Sequence, residues 1–127
     1  MKKIFFFTLF TLFLANEAKS EEWVEVSKAA NDSMTMYVDV DSVRFGGGYL
    51  YVWRLTDYLE PNQWGTMSMK VYTKFNCSSN TYQSMHFVAY SEEMGKGEAE
   101  TLEYEPLDWE SVGSGTMMEQ VLNYVCN

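Results

Sequence analysis

The stretch MSMKVYTKFNC, residues 67–77, carries the most regular pattern in the chain. Met67, Met69, Val71, Phe75 and Cys77 fall on one side, and Ser68, Lys70, Tyr72, Lys74 and Asn76 on the other. That period of two belongs to a strand with one buried face, and it puts Cys77 on the buried side. After a turn at Ser78-Ser79-Asn80, YQSMHFVAYS (82–91) continues the apolar face through Met85, Phe87 and Ala89, so the two strands are expected to pair as an antiparallel hairpin. On the same alternation His86 shares the opposite face with Tyr82, Ser84, Val88 and Tyr90.

Working outward toward the N-terminus, DSVRFGGGYLYVWRLTDYL (41–59) reads as a second hairpin. A short strand, Val43 to Phe45, turns at Gly46 to Gly48, where positive φ costs nothing, into a long strand from Tyr49 to Tyr58. MTMYVDV (34–40) and EWVEVS (22–27) supply two earlier strands. The chain holds only 2 prolines and is 17% aromatic, a composition that favours strand over helix. On the long strand Tyr49, Tyr51 and Trp53 share one face while Leu50, Val52 and Tyr58 share the other. Neither face is polar, so one must pack beneath another element and the other must meet a covering loop, a partner or a ligand. Tyr49, Tyr51 and Trp53 are therefore the candidate partner-binding residues.

Toward the C-terminus the alternation stops at EEMGKGEAE (92–100), where two glycines and four glutamates predict an exposed loop. An irregular acidic stretch, TLEYEPLDWE (101–110), follows; Pro106 limits its pairing, and Leu102, Tyr104 and Trp109 are available to anchor it. In TMMEQVLNYVC (116–126) the period changes to that of a helix. Thr116 and Glu119 have capping-box spacing, and Met117, Met118, Val121, Leu122 and Val125 form one apolar stripe. A helix this short is stable only when docked. The fold class predicted is α+β and mainly β: an antiparallel sheet of about six strands packed against a C-terminal helix.

The chain has two cysteines, Cys77 and Cys126. Cys126 lies four residues after Leu122, beside the stripe, so a helix laid on the sheet would bring both sulfurs into one interface. A disulfide is the expectation, and it would fix a terminus that otherwise frays. The other use of two thiols, redox chemistry or metal binding, lacks a C-x-x-C arrangement and would need more than the single histidine to complete a zinc site.

The first twenty residues, MKKIFFFTLFTLFLANEAKS, join two lysines, a short apolar run and a small-residue A-K-S end, the pattern of a secretory signal peptide cleaved after Ser20. The run is too short to span a bilayer, so no stable membrane insertion is expected, and no cysteine follows the cleavage site to take a lipid anchor. The mature chain is then a single domain, 21–127, exported to the periplasm or the outside, where disulfides form. Cleavage removes Lys2, Lys3, Lys19 and Glu17, which moves the formal charge from −9 to −11. That sign repels phosphate backbones and anionic lipids, so nucleic acid is not an expected partner, whereas a protein is.

With these residues in order, the chain resembles the surface-adhesin protein E family of small exported bacterial proteins. The resemblance rests on Trp23, YVDVDSVR (37–44), VWRLTDY (52–58), SMK (68–70) leading to Cys77, YSEEMGKGE (90–98), Trp109 and the closing Val125-Cys126. It implies a curved antiparallel sheet with one disulfide holding the C-terminal helix, a binding rather than catalytic role with host extracellular-matrix glycoproteins as partners, and a homodimer as one state. A periplasmic or envelope accessory domain, acting as inhibitor or scaffold for a partner of the same cell, is the alternative.

Other chemistry is weakly signalled. No G-x-S-x-G elbow accompanies His86, so no catalytic residue is assigned. Asp39 and Asp41 lack the ligand series of a calcium loop and fit a turn in which Asp41 bonds nearby backbone. MGKG (94–97) lacks phosphate-loop spacing and fits a tight turn, and the acids from Glu98 to Glu110 fit a solvated surface. No metal or cofactor is expected.

Overall fold

The computed structural model describes residues 21–102 and 105–127; the expected signal peptide and Tyr104 lie outside the described residues. Alternating sequence becomes strand throughout. The strands are β1 (Trp23–Lys28), β2 (Met34–Asp39), β3 (Arg44–Gly46), β4 (Tyr49–Tyr58), β5 (Ser68–Asn76), β6 (Thr81–Tyr90), β7 (Ala99–Leu102) and β8 (Glu110–Ser111), followed by helix α1 (Met117–Cys126). One open sheet runs β1-β2-β4-β5-β6-β7, with β3 added to β4 and β8 to β6, and every pairing is antiparallel. The six strands expected from the sequence are β1 to β6, of which β3 lies off the main path. Within the acidic stretch, where loop and irregular chain were expected, β7 and β8 also pair with β6.

The hairpin β5–β6 departs from the simple alternation. Its register shifts between Tyr72 and Thr73, where His86 and then Ser84 are the partners, so Met85 is an extra residue on β6. A bulge of this kind reverses the inside-out phase of a strand. Tyr82 packs against the core and Ser84 is buried, beside the core-facing Phe75 and Thr73 that they oppose. Beyond the bulge Phe87 and Ala89 take over that face, while His86, Val88 and Tyr90 turn to the other. The face predicted to join Tyr82 and Ser84 to His86 is therefore split at Met85.

α1 lies against β1 and β2 and buries Val121 and Leu122 onto Val38, Leu50, Val52 and Phe75, with Met118 and Val125 packed at the margin. Burying two such side chains contributes on the order of 3–6 kcal/mol as an upper estimate. At its start, Thr116 accepts a hydrogen bond from the Glu119 N–H at 3.2 Å, and the Glu119 carboxylate accepts from the Gly115 N–H at 2.8 Å, so the box closes one residue earlier than its simplest form. Ser27 of β1 donates to Gln120, tying the helix middle to the sheet edge.

Cys77 and Cys126 form the disulfide, with Cα atoms 5.8 Å apart. Its place differs from the expected interior: β5 ends at Asn76, so Cys77 sits in the following turn and is exposed, and the bridge clasps the helix at the rim of the core. The covered face also holds Arg54, 8% exposed. Its Nε donates to Thr73 Oγ1 at 2.9 Å and its Nη2 to Ser84 Oγ at 3.3 Å, and no described carboxylate forms an ion pair with it. Burial pushes the guanidinium pKa down, opposed by the field of Tyr82, Tyr58 and Glu110.

Candidate partner-binding face

The side of the sheet turned away from α1 has two parts. One is roofed by residues 91–98. Asp57 Oδ1 accepts from the Met94 N–H at 2.8 Å, while Ser68 Oγ donates to the Glu92 carbonyl at 2.6 Å and accepts from the Gly95 N–H at 2.8 Å. Leu55 is fully buried here. The MGKG segment is a tight turn, as its glycines suggested: Met94 has φ 58° and Gly95 φ 70°. Gly95 takes this left-handed backbone at no steric cost, which suits glycine to closing the roof, while a Cβ there would meet only the movable end of Lys70, with Cε at 2.7 Å.

The second part carries the candidate residues Tyr49, Tyr51 and Trp53, all half-buried and all pointing to this face. Register then adds what linear sequence could not. Trp53 opposes Tyr72, which opposes His86, and Tyr51 opposes Lys74. Tyr72 stacks at 23° with both Tyr51 and His86, each with ring centroids 6.1 Å away, and meets Trp53 at 5.0 Å. Lys74 Nζ lies 4.1 Å from the ring centre of Tyr49 and 5.6 Å from those of Tyr51 and Trp109. Trp109, just before β8, closes this end with its ring 5.5 Å from Tyr49. Each cation–π contact contributes about 0.5–1 kcal/mol, so the lysine braces the rings as well as charging the surface.

The framework beneath is fixed. The Trp53 N–H donates to Ser42 Oγ at 2.9 Å, and Ser42 Oγ donates to the Asp39 carbonyl at 2.8 Å. Asp39 Oδ1 accepts from the N–H groups of Asp41 and Glu22, both at 3.1 Å. The acid that organises this turn is thus Asp39 rather than the expected Asp41. Further along the same face Lys70 pairs with Glu21 at 2.6 Å and lies 5.1 Å from the Tyr90 ring and 5.5 Å from the Trp23 ring.

Such a surface can bind by stacking, by apolar contact and by donating from Lys74 and His86. His86 is exposed and lies flat on Tyr72. Among the described residues no group of three or more His, Cys, Asp or Glu is placed to hold a metal ion. No helix among them is long and apolar enough to cross a membrane.

An open antiparallel sheet with a disulfide-clasped C-terminal helix on one side, and an aromatic face on the other, defines a small, mainly β domain of the α+β class. The chain belongs to the surface-adhesin protein E family, whose model matches residues 23–127. Among solved structures it is similar to Haemophilus influenzae protein E, with TM-score 0.64 at 15% identity over 85% of this chain and 86% of that one. A second crystal form of that protein matches with TM-score 0.63 at 16% identity, covering 80% of this chain and 86% of that chain. At this identity the likeness speaks for the fold. Comparison with curated protein sequences gives no match.

Proposed function

We propose that this chain is an exported, non-catalytic binding protein that recognises a protein partner through Tyr49, Tyr51 and Trp53 together with Tyr72, Lys74 and Trp109. Host extracellular-matrix glycoproteins are the partner class to which family membership points. The observation that carries the reading is the stacked row Tyr51–Tyr72–His86 flanked by Trp53, an aromatic area on paired strands with no described strand or α-helix laid over it. Aromatic side chains lose little entropy on binding and dominate hot spots, so a braced row of them suits recognition.

Surface plasmon resonance of the mature chain over a panel of purified matrix glycoproteins tests the reading. Binding should fall at least tenfold in Trp53→Ala and Tyr72→Ala, while Tyr124→Ala, on the exposed side of α1, should bind as the parent does. Equal binding by all three variants would refute the assignment of the face. Capture of an envelope protein of the same cell in place of any matrix glycoprotein would turn the reading to an accessory domain.

A further inference from the structure

The opposite side of the sheet carries a second feature that the aromatic face does not use. Beyond the area covered by α1 lies a groove of about 520 Å³, lined by Trp64, Met69, Phe87, Ala89, Leu102 and Leu107, with Glu100 at its rim. Trp64 is 78% exposed, yet the loop that carries it is tightly built: Asn62 Oδ1 accepts from the Trp64 and Thr66 N–H groups at 2.9 and 3.0 Å, and the Asn62 N–H donates to the Thr66 carbonyl at 3.0 Å. A large apolar ring is thus presented to solvent by an ordered loop rather than left on a slack one.

One wall of the groove is β7, which ends the sheet and among the described residues pairs with β6 alone. Its outer edge offers backbone donors and acceptors to an added strand, and alternate side chains of that strand would point to the groove side. Charge selects among occupants. From Glu92 to Glu110 the sequence is rich in acids, including Glu98, Glu100, Glu105 and Asp108, with Lys96 its lone base. A second copy of this chain would set acidic rim against acidic rim, so self-pairing at this edge is opposed. A basic segment would be drawn in.

We infer that the β7 edge and its groove dock an extended segment of another protein, about four to six residues long, in which an apolar anchor has lysine or arginine two residues to either side, so that all three side chains turn to the groove. β7 has 4 residues, which sets the paired length. The apolar anchor enters between Trp64 and Met69, and the flanking cations face Glu98 and Glu100. The site lies on the other side of the sheet from Trp53, so it is independent of the aromatic face.

The probe is the acetylated, amidated peptide TKTFTKTT, whose two lysines share a strand face with the phenylalanine, with TETFTETT and TKTPTKTT as charge and pairing controls, titrated into the full mature chain. Amide hydrogen exchange at Ala99–Leu102 and the fluorescence of Trp64 relative to a Trp64→Phe chain are read. The basic peptide should slow exchange across β7 and perturb Trp64, with affinity at least tenfold weaker in Glu100→Lys and Leu107→Lys, both exposed positions whose melting curves verify the fold; Trp53→Ala should leave it unchanged. Binding by TETFTETT or TKTPTKTT equal to that of the probe, or binding with no protection of β7, would overturn the inference. So would a dimer in sedimentation whose contacts protect β7 without peptide, since that makes a second copy the occupant.

Discussion

Removing the bridge between Cys77 and Cys126 tests how the helix is held. The two cysteines are 49 residues apart in sequence, and closing a loop of that length removes about 14 cal/mol/K from the unfolded chain, or about 4 kcal/mol at 25 °C. Against a net stability of about 5–15 kcal/mol this is a large share. The burial of Val121 and Leu122 is of similar size, but a ten-residue helix must meet its own ordering entropy from that gain. The perturbation is Cys77→Ser combined with Cys126→Ser, so that no stray thiol remains. Urea unfolding followed by tryptophan fluorescence should show stability lower by about 3–4 kcal/mol, and with a slope of about 1–2 kcal/mol/M the midpoint should fall by about 1.5–4 M. Amide exchange should show the α1 amides opening below the global free energy in the variant and with it in the parent. A loss under about 1 kcal/mol would refute the reasoning, because it would mean that apolar docking alone secures the tail.

Thr116→Ala removes the acceptor for the Glu119 N–H and should cost about 1 kcal/mol in the same urea assay, with no loss indicating that the cap is idle. Arg54→Met replaces a buried cation whose partners among the described residues are hydroxyls; because desolvation of that charge offsets its hydrogen bonds, stability should stay within about 1 kcal/mol of the parent or rise, and a loss above about 3 kcal/mol would show the network to be a net stabiliser. Tyr37, Tyr58 and Tyr82 have phenol pKa values raised above 10.0, chiefly by burial and, at Tyr82, also by the charge of Glu110. The fold therefore favours the neutral phenol: this contribution is complete below pH about 10 and is lost as pH climbs through the raised values. Urea midpoints should fall above pH about 10, and Tyr58→Phe should flatten that fall; an unchanged slope would count against the assignment.

Much of the architecture was legible because hydrophobic period and turn chemistry agree. The glycine turn before Tyr49, the alternation of β5 and the stripe from Met117 to Val125 each report local structure directly. β7 and β8 were hidden because short, exposed, acidic edge strands have no buried face to impose alternation. The bulge was hidden because β6 is apolar or aromatic in both phases: Tyr82 and Val88 compete with Met85 and Phe87, and only pairing with Thr73 decides between them. Cys77 was read as buried by extending the alternation one residue past the strand. At the aromatic face, Tyr49, Tyr51 and Trp53 could be named from one strand, whereas Tyr72, Lys74, His86 and Trp109 join them only through register and a long return of the chain. The positions of Tyr72 and Lys74 on the less apolar side of 67–77 were the available signal.

The supernumerary residue at Met85 acts as a phase converter. Near the hairpin turn, even-numbered side chains of β6 feed the helix-covered interior; beyond it, odd-numbered ones do. Straightening the ladder with Met85 kept in it would throw either Tyr82 and Ser84, or Phe87 and Ala89, across to the wrong surface, and would either strip Arg54 of a hydroxyl or empty a wall of the groove, whereas deleting Met85 would leave every other side chain on its present side. A homologue with an unbroken ladder at this point must therefore be one residue shorter here if it keeps the same covered face, which makes the position a place for a single-residue gap in aligning distant kin whose overall identity is low.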